Sequence, residues 1–540
     1  MRCPPLFLLL ALTACSPSRY VDSADREVGE LLRDFDRRVL ADRQSSVAYP
    51  VLLPPPPVEQ TSDDPFAPVD TSGPAEPESA ESVQILDLDA ALELAVENGR
   101  DFVSRRETLY LAGLGFSSVR FAFGPQFDAT LNLIYGDQKG GPRTYSLQGS
   151  TGVSQILPTG GILSVDAGLG TTRFEGPHFG DPDRGRGYES DISIRLSQPL
   201  LRGAGYDVSH ESLVQAERDL VYALRDFELF RQDYSITISS TYYDLVNQKK
   251  SLSIQQQRTN DARRDYQKAL ALRQVDRNKK NDIFVARRAV NQAENELLDA
   301  ETDFKRSLDQ FAIDLGLPRR SRIDVVESDP PFEPVHYEPA SAVEVALRNR
   351  LDIATQRDQV EDVARSLRLA ENDFLPDLGL DLAYAKTEQS GLEFRKGLVG
   401  AGTPWTSSAA VSLRIPIQQT RERNSYVQSQ IAMDRARRDY EQFVDTQVAS
   451  IEDQLRQLER TQQQIVLQRE LILEEQESID VVQFLLETGE ASNRDLAEAR
   501  RSVDDARNQL NRLLSDHFIG RLTLTRSLGI LFVDEKGRWR

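Results

Sequence analysis

Residues 420–487 read TRERNSYVQSQIAMDRARRDYEQFVDTQVASIEDQLRQLERTQQQIVLQRELILEEQESIDVVQFLLE, without a proline or a glycine. Val444, Ile451, Leu458, Ile465, Ile472, Ile479 and Leu486 recur at every seventh position, which lays an apolar stripe along one helix face. At 1.5 Å per residue such a helix is about 100 Å long, several times the diameter of an ordinary domain. It stops at residues 488–492, TGEAS, where Gly489 suits a left-handed cap and Ser492 suits the cap of a following helix. A very long helix therefore reaches a tight turn and comes straight back.

That hairpin occurs twice. Residues 282–290, DIFVARRAV, match residues 495–503, DLAEARRSV, 213 positions on. The same register carries Val214-Gln215 onto Val427-Gln428 and Leu315-Gly316 onto Leu528-Gly529. A second register carries Asn98, Asp101 and Pro125 onto Asn349, Asp352 and Pro376, 251 positions on. Matching at fixed offsets is the mark of internal duplication. Each repeat reads as short helix, strands, very long helix, turn and returning helix. The boundaries expected are 86–317 for repeat one (strands 126–198, hairpin 208–316) and 340–540 for repeat two (strands 378–416, hairpin 420–516). The link between them is 318–339.

The net charge is −20 over 540 residues, so the basic stripe that nucleic-acid binding requires is missing. The two cysteines are Cys3 and Cys15, which leaves the body without a disulfide or a thiolate metal site. Residues 1–14 carry Arg2 and the apolar run Leu6 to Leu12, a short secretory signal. Its end, LTAC at 12–15, resembles a bacterial lipobox, which implies acylation of Cys15. Ser16 resembles the sorting position of outer-membrane lipoproteins. In 15–48, Val28, Leu31, Leu32, Phe35 and Val39 share one face of an amphipathic helix over 22–42. The stretch 49–85 is rich in proline and acid and reads as an extended tether. Helices are expected over 86–123.

After Gly124-Pro125 the period changes to two. Phe127, Ala129, Leu131, Leu133 and Tyr135 alternate with polar residues. Three more such runs follow, around Tyr145–Leu157, Leu163–Leu169 and Tyr188–Leu196, and repeat two has two, around Leu378–Tyr384 and Trp405–Ile415. Each run is about 10 residues, the length of a tilted membrane-spanning strand. The turn at Pro158-Thr159-Gly160-Gly161 is tight, whereas the connections at 136–143 and 172–187 are long and polar, as in an outer-membrane barrel. A soluble half-buried sheet alternates in the same way. The signal and the long helices favour the membrane.

With these elements assembled, residues 86–533 resemble the TolC-like outer membrane efflux proteins. The most specific likeness is 485–499, LLETGEASNRDLAEA, which is similar to that family's hairpin-tip motif. Residues 88–98, LDAALELAVEN, resemble its repeat start, and 197–203, SQPLLRG, its strand-to-helix junction. The resemblance implies a mostly α fold with a membrane β-barrel. Three identical chains would form a helical tube and share their strands, 12 by the family norm of two per repeat and up to 18 by the six runs found here. It implies an outer-membrane exit duct for a tripartite efflux or type I secretion system. The expected partners are a periplasmic adaptor, an inner-membrane transporter and outer-membrane lipid. No cofactor, metal or nucleic acid is expected.

The resemblance also assigns residues. Asp495 and Glu498 match the acids that ring the tube's periplasmic end, with Asp282 their equivalent in repeat one. Three copies of such acids favour cations at a constriction. As ordinary early-helix acids, both would simply complement the helix dipole. Leu485, Gly489, Ser492, Asp276 and Lys279 fall on the tips that meet the adaptor. The first tip departs from the pattern: residues 273–280, RQVDRNKK, have no glycine. The family's arginine and tyrosine lock is replaced by Ala491 and Leu486. The lock expected instead pairs Arg273, Arg277, Lys279 or Lys280 with Glu487 or Glu490. Two other classes compete. An enzyme is disfavoured, because no phosphate loop or ligand spacing appears and His178, His210, His336 and His517 are scattered. His517 shares a seam line with Leu510 and Leu524. A lipid-anchored periplasmic coiled-coil scaffold without a pore would use the same helices, but has no use for six membrane-length strands.

Overall fold

The computed structural model describes residues 17–39, 83–137, 139, 143–175, 185–274, 280–318, 321–390, 399–400, 402–488 and 490–539. The signal, Cys15 and the tether up to residue 82 lie outside them. The chain divides into two compact units. One takes the chain up to Leu31 with Tyr110–Ala223 and Thr355–Glu441, and the other takes Leu32–Leu109, Leu224–Ala354 and Gln442–Arg540.

Helix α1 (Pro17–Val39) precedes strand β1 (Gln84–Leu86) and helices α2 (Leu88–Asn98) and α3 (Arg100–Phe123). Four strands follow: β2 (Gln126–Gly136), β3 (Arg143–Ile156), β4 (Ile162–Glu175) and β5 (Arg186–Pro199). Then come the short α4 (Tyr206–Ser209), the long α5 (Glu211–Gln274) and the returning α6 (Lys280–Asp314). The second half repeats the order: β6 (Ile323–Val325), α7 (Pro339–Asn349), α8 (Leu351–Asn372), β7 (Asp377–Ser390), β8 (Trp405–Arg414), α9 (Thr420–Thr488) and α10 (Asn493–Ser527). No helix among the described residues is long and apolar enough to cross a membrane.

In the first unit the six expected strands form one antiparallel sheet in the order β2-β3-β4-β5-β7-β8. The tight turn after β3 is pinned at the end where strands give way to helices. Gly160 takes a positive φ of 88°, and the Gly205 N–H and the Gln198 amide both donate to the Thr159 carbonyl at 3.0 Å. Helix α1 docks on α3 within this unit. Tyr110 donates to the Asp25 carboxylate, and Ser117 and Arg120 both donate to Glu27 at 2.8 Å. Val28 sits over Gly113, where a Cβ would lie 2.7 Å from the valine Cγ1. The expected apolar face of α1 is the buried one, at Val28, Leu31, Leu32 and Phe35.

In the second unit the seven-residue stripe of α9 is the buried line at Ile451, Leu458 and Ile465. Ile451 and Leu458 cluster with Ala342, Ala346, Leu455, Leu524 and Leu528. A second cluster gathers Leu92, Ile238, Tyr242, Phe304, Phe311 and Leu531. Two boundaries differ from expectation. Leu86 belongs to β1, which pairs in parallel with β6 (Leu86 opposite Val325), rather than to a helix. Three residues are too few to show a period. Helix α10 runs to Ser527 instead of 516. It ends where Gly529 takes a φ of 70°, just as Gly316 takes 72° after α6.

Candidate functional site

At the second hairpin tip, α9 closes with the Glu490 and Ala491 N–H groups donating to the Leu485 carbonyl at 2.8 and 3.1 Å. Helix α10 opens on a capping box. The Ser492 hydroxyl accepts from the Asp495 N–H, and the Asp495 carboxylate accepts from the Ser492 N–H at 2.8 Å and its hydroxyl at 2.7 Å. This satisfies donors that the first turn of a helix leaves free. The same bonds, backbone first, hold the Asp495 carboxyl below the usual carboxylate range. Asp495 therefore remains an anion at the tip, with Glu498 exposed one turn further on. Leu485 is half-buried and Glu490 exposed.

Other expected residues are not placed. Asp276, Arg277, Lys279 and Gly489 lie outside the described residues, as do the side chains of Arg273, Lys280, Asp282 and Glu487. The expected lock between the two tips falls among them. The ion pairs present between the hairpins lie elsewhere. Arg258 on α5 bridges Asp504 at 2.9 Å and Asp505 at 2.7 Å on α10, and Arg500 on α10 faces Asp261 at 3.7 Å and Asp265 at 3.5 Å on α5. Sequence reading missed them. The only signal was mixed charge on both helices, which is equally compatible with pairing inside each helix.

The sheet of the first unit carries the second functional arrangement. Directly opposed residues share a face, so the register sorts every side chain. One face reads Phe127, Val153, Val165, Ile194 and Tyr384 in one row, and Leu163, Leu196, Leu382 and Ala409 in another. The opposite face reads Asp128, Gly152, Asp166, Ser193 and Ala385, then Asn132, Gln148, Gly170, Glu189 and Gln389. On the apolar face aromatic residues stand at both ends of the sheet, with Phe127 beside Gln126, Tyr135 and Tyr145 at the opposite end, and Tyr384 in mid-strand near Trp405. Tyr135 and Tyr145 lie 5.2 Å apart, and Tyr384 and Trp405 5.9 Å apart. An apolar band edged by aromatic residues on one face, with polar groups on the other, is the pattern of a strand sheet between lipid and water. On the edge strands the apolar residues stand open, with Phe127 and Leu133 81% exposed and Val411 70%.

His517, weighed above as a seam residue, is buried. It packs on Phe332 with ring centroids 4.9 Å apart, and neither ring nitrogen has a hydrogen-bond partner among the described residues. Burial, with Arg521 adding repulsion, pushes its pKa down. An unbonded neutral imidazole in a helix seam fits a packing role.

Comparison with known proteins agrees with this architecture. The family model described as outer membrane efflux protein matches residues 342–530. No curated protein sequence matches the chain. Among solved structures, the CmeC outer membrane channel of Campylobacter jejuni superposes with a TM-score of 0.60 at 15% identity, covering 82% of this chain and 85% of its own. The outer membrane protein VceC of Vibrio cholerae gives 0.60 at 14% identity, covering 82% and 96%. The MtrE outer membrane channel of Neisseria gonorrhoeae gives 0.58 at 14% identity, covering 82% and 89%. Residues 342–530 thus match the outer membrane efflux protein model, and over 82% of its length the chain carries the fold of these channels.

Proposed function

We propose that this chain is the outer-membrane exit duct of a tripartite exporter, and that three copies share their strands in one barrel and their helical hairpins in one periplasmic tube. The observation that carries this reading is the six-strand sheet with one apolar face, one polar face and two unpaired edges. Six strands are too few to close alone, and an open edge is not tolerated in lipid. Copies of the same chain supply the missing partners. The helices point the same way: α9 leaves Leu467, Leu473, Val481 and Phe484 each more than half exposed, apolar surface for a neighbouring helix to cover. A pore-free periplasmic scaffold accounts for the helices but gives the two-faced sheet no task.

In this reading Cys15 anchors each copy in the outer membrane by its acyl chains. The hairpin tips, with Leu485, Gly489, Ser492, Asp276 and Lys279, meet the periplasmic adaptor of an inner-membrane transporter. Asp495 and Glu498, with Asp282 from the first tip, ring the periplasmic end and set its charge preference. The capped, low-pKa Asp495 is suited to that work, because it stays charged at any physiological pH. The cargo is exported passively.

Light scattering on the detergent-extracted protein, corrected for detergent, should give the mass of three chains; a clean monomer would overturn the reading. In planar bilayers the double variant Asp495→Asn/Glu498→Gln should lose several-fold of its cation-over-anion preference. An unchanged preference in an open channel would remove the two acids from the gate.

A further inference from the structure

We infer that the barrel has 18 strands, and that its exit passes solutes about one and a half times wider than a 12-strand duct admits. The inference rests on the trimeric reading above, since three copies of six strands make 18. The alternative is that β3 and β4 form a hairpin projecting beyond the membrane, leaving four spanning strands per chain. Three observations argue against projection.

The first is register. Strand β3 pairs with β2 from Gln126 opposite Ser154 to Gly136 opposite Thr144, the whole length of β2. It pairs with β4 from Arg143 opposite Glu175 to Ile156 opposite Ile162, and β4 continues on β5 down to Ile162 opposite Ser197. The extra strands run level with their neighbours rather than past them. The second is the turn between them. Thr159 is held by Gln198 and Gly205 at the base of the sheet, at the end where strands give way to helices. A projecting hairpin would have its turn free. The third is the face pattern. On the apolar face, β3 between Tyr145 and Val153 and β4 between Leu163 and Thr171 carry no charge, and they continue the rows of Leu133 and Ile194. Water on both sides would not require this.

The edges fit the count. Natural sheets blunt exposed edges with lysine, proline or bulges. Here β2 and β8 have 11 and 10 residues and neither contains a proline or a lysine. They run in opposite directions, so β8 of one copy can pair antiparallel with β2 of the next. Barrel diameter grows roughly in proportion to strand number, and barrels of about 16–18 strands leave an open aqueous channel. The polar rows with Asp128, Asp166, Asp191 and Glu189 would line it.

The test uses the full-length protein in lipid vesicles, with single cysteines on both faces and a membrane-impermeant charged maleimide. Gln148→Cys and Gly170→Cys should label, and Leu147→Cys and Leu169→Cys should be protected, matching Asn132→Cys and Leu133→Cys on β2. Equal labelling of both faces of β3 and β4, with alternation kept on β2 and a mass of three chains, overturns the 18-strand barrel alone. Loss of alternation on β2, or a mass other than three chains, overturns the duct reading itself. A second measurement removes residues 143–175, which joins β2 to β5 at one end of the sheet. The size cut-off for neutral polymers entering from the outer side should then fall by about a third; an unchanged cut-off overturns the inference.

Discussion

The two halves of the chain share a plan and differ in how they close it. Each ends its returning helix on a glycine that presses against the end of its own short helix. In the first half a Cβ on Gly316 would stand 1.9 Å from the Asn98 carbonyl oxygen; in the second, a Cβ on Gly529 would stand 2.8 Å from the Asn349 carbonyl carbon. Asn98 and Asn349 are the residues that the 251-position register equates, so the duplication holds at the level of single contacts. The lesson lies in the partners. Repeat one closes with small residues and borrowed hydroxyls, and repeat two closes with charge.

The comparison breaks first at the glycines. Gly316→Ala puts a side chain both in the left-handed region and into a backbone oxygen that cannot move aside. That combination costs about 3 kcal/mol or more. Gly529→Ala carries the same φ penalty with a looser contact, and costs about 2 kcal/mol. Thermal unfolding of the solubilised protein should rank wild type above Gly529→Ala and Gly529→Ala above Gly316→Ala. Equal losses would mean that the two closures are not graded by space.

The next difference is at the position following each asparagine. Repeat one has Gly99, and a Cβ there would meet the Tyr234 hydroxyl, which instead donates to the Ala95 carbonyl at 3.1 Å. Repeat two has Arg350, buried, gripping Asp352 at 3.0 and 2.6 Å and donating to the Ser527 carbonyl at 3.3 Å. Burial alone would raise the Asp352 pKa; the Arg350 hydrogen bonds and charge overcome it and hold the carboxyl below its usual range. Arg350→Gly makes repeat two resemble repeat one, but without a tyrosine to fill the gap. It should cost about 2–3 kcal/mol near neutral pH. The sign with pH follows from the lowered pKa. The pair's contribution is present above about pH 4 and is lost as pH falls below it, so the two stability curves should converge in acid. A gap that persists in acid would assign the loss to packing.

These contrasts also show what the amino-acid sequence could reveal. The helices and the six sheet strands were legible because burial on one face writes a period of seven or two into ten or more residues. The cap at Ser492 was legible because capping is local; the return bond from Asp495, read from the sequence as a gate acid or an early-helix acid, completes the box. Strands β1 and β6 have three residues each, too few to write a period into the sequence. The Arg258 and Arg500 pairs were not legible, since their partners lie on another helix some 240 residues away and each charge also has neighbours on its own helix. The number of strands was legible, but what covers the two edge strands was not, because one chain's periodicity reports only which face of each strand is apolar.

The smallest expected effect isolates a single seam position. The 213-position register places His517 of α10 on Phe304 of α6, and both are buried. Phe304 packs with its apolar cluster. His517 packs on Phe332 while Arg521 on its own helix repels its proton and Arg469 of α9 lies 5.2 Å from the Phe332 ring centroid. With its pKa lowered by burial and then by Arg521, the native state holds the neutral ring and the unfolded chain takes up the proton first. Its contribution is therefore intact above about pH 6.5 and is lost as pH falls through and below that value. His517→Phe copies repeat one and removes two unbonded nitrogens, a gain of about 1 kcal/mol at neutral pH. That gain should widen between about pH 7 and pH 5, read as the difference in denaturation midpoint between variant and wild type. If the difference stays flat over that range, His517 takes up its proton equally in both states and repeat two carries no acid-sensitive seam.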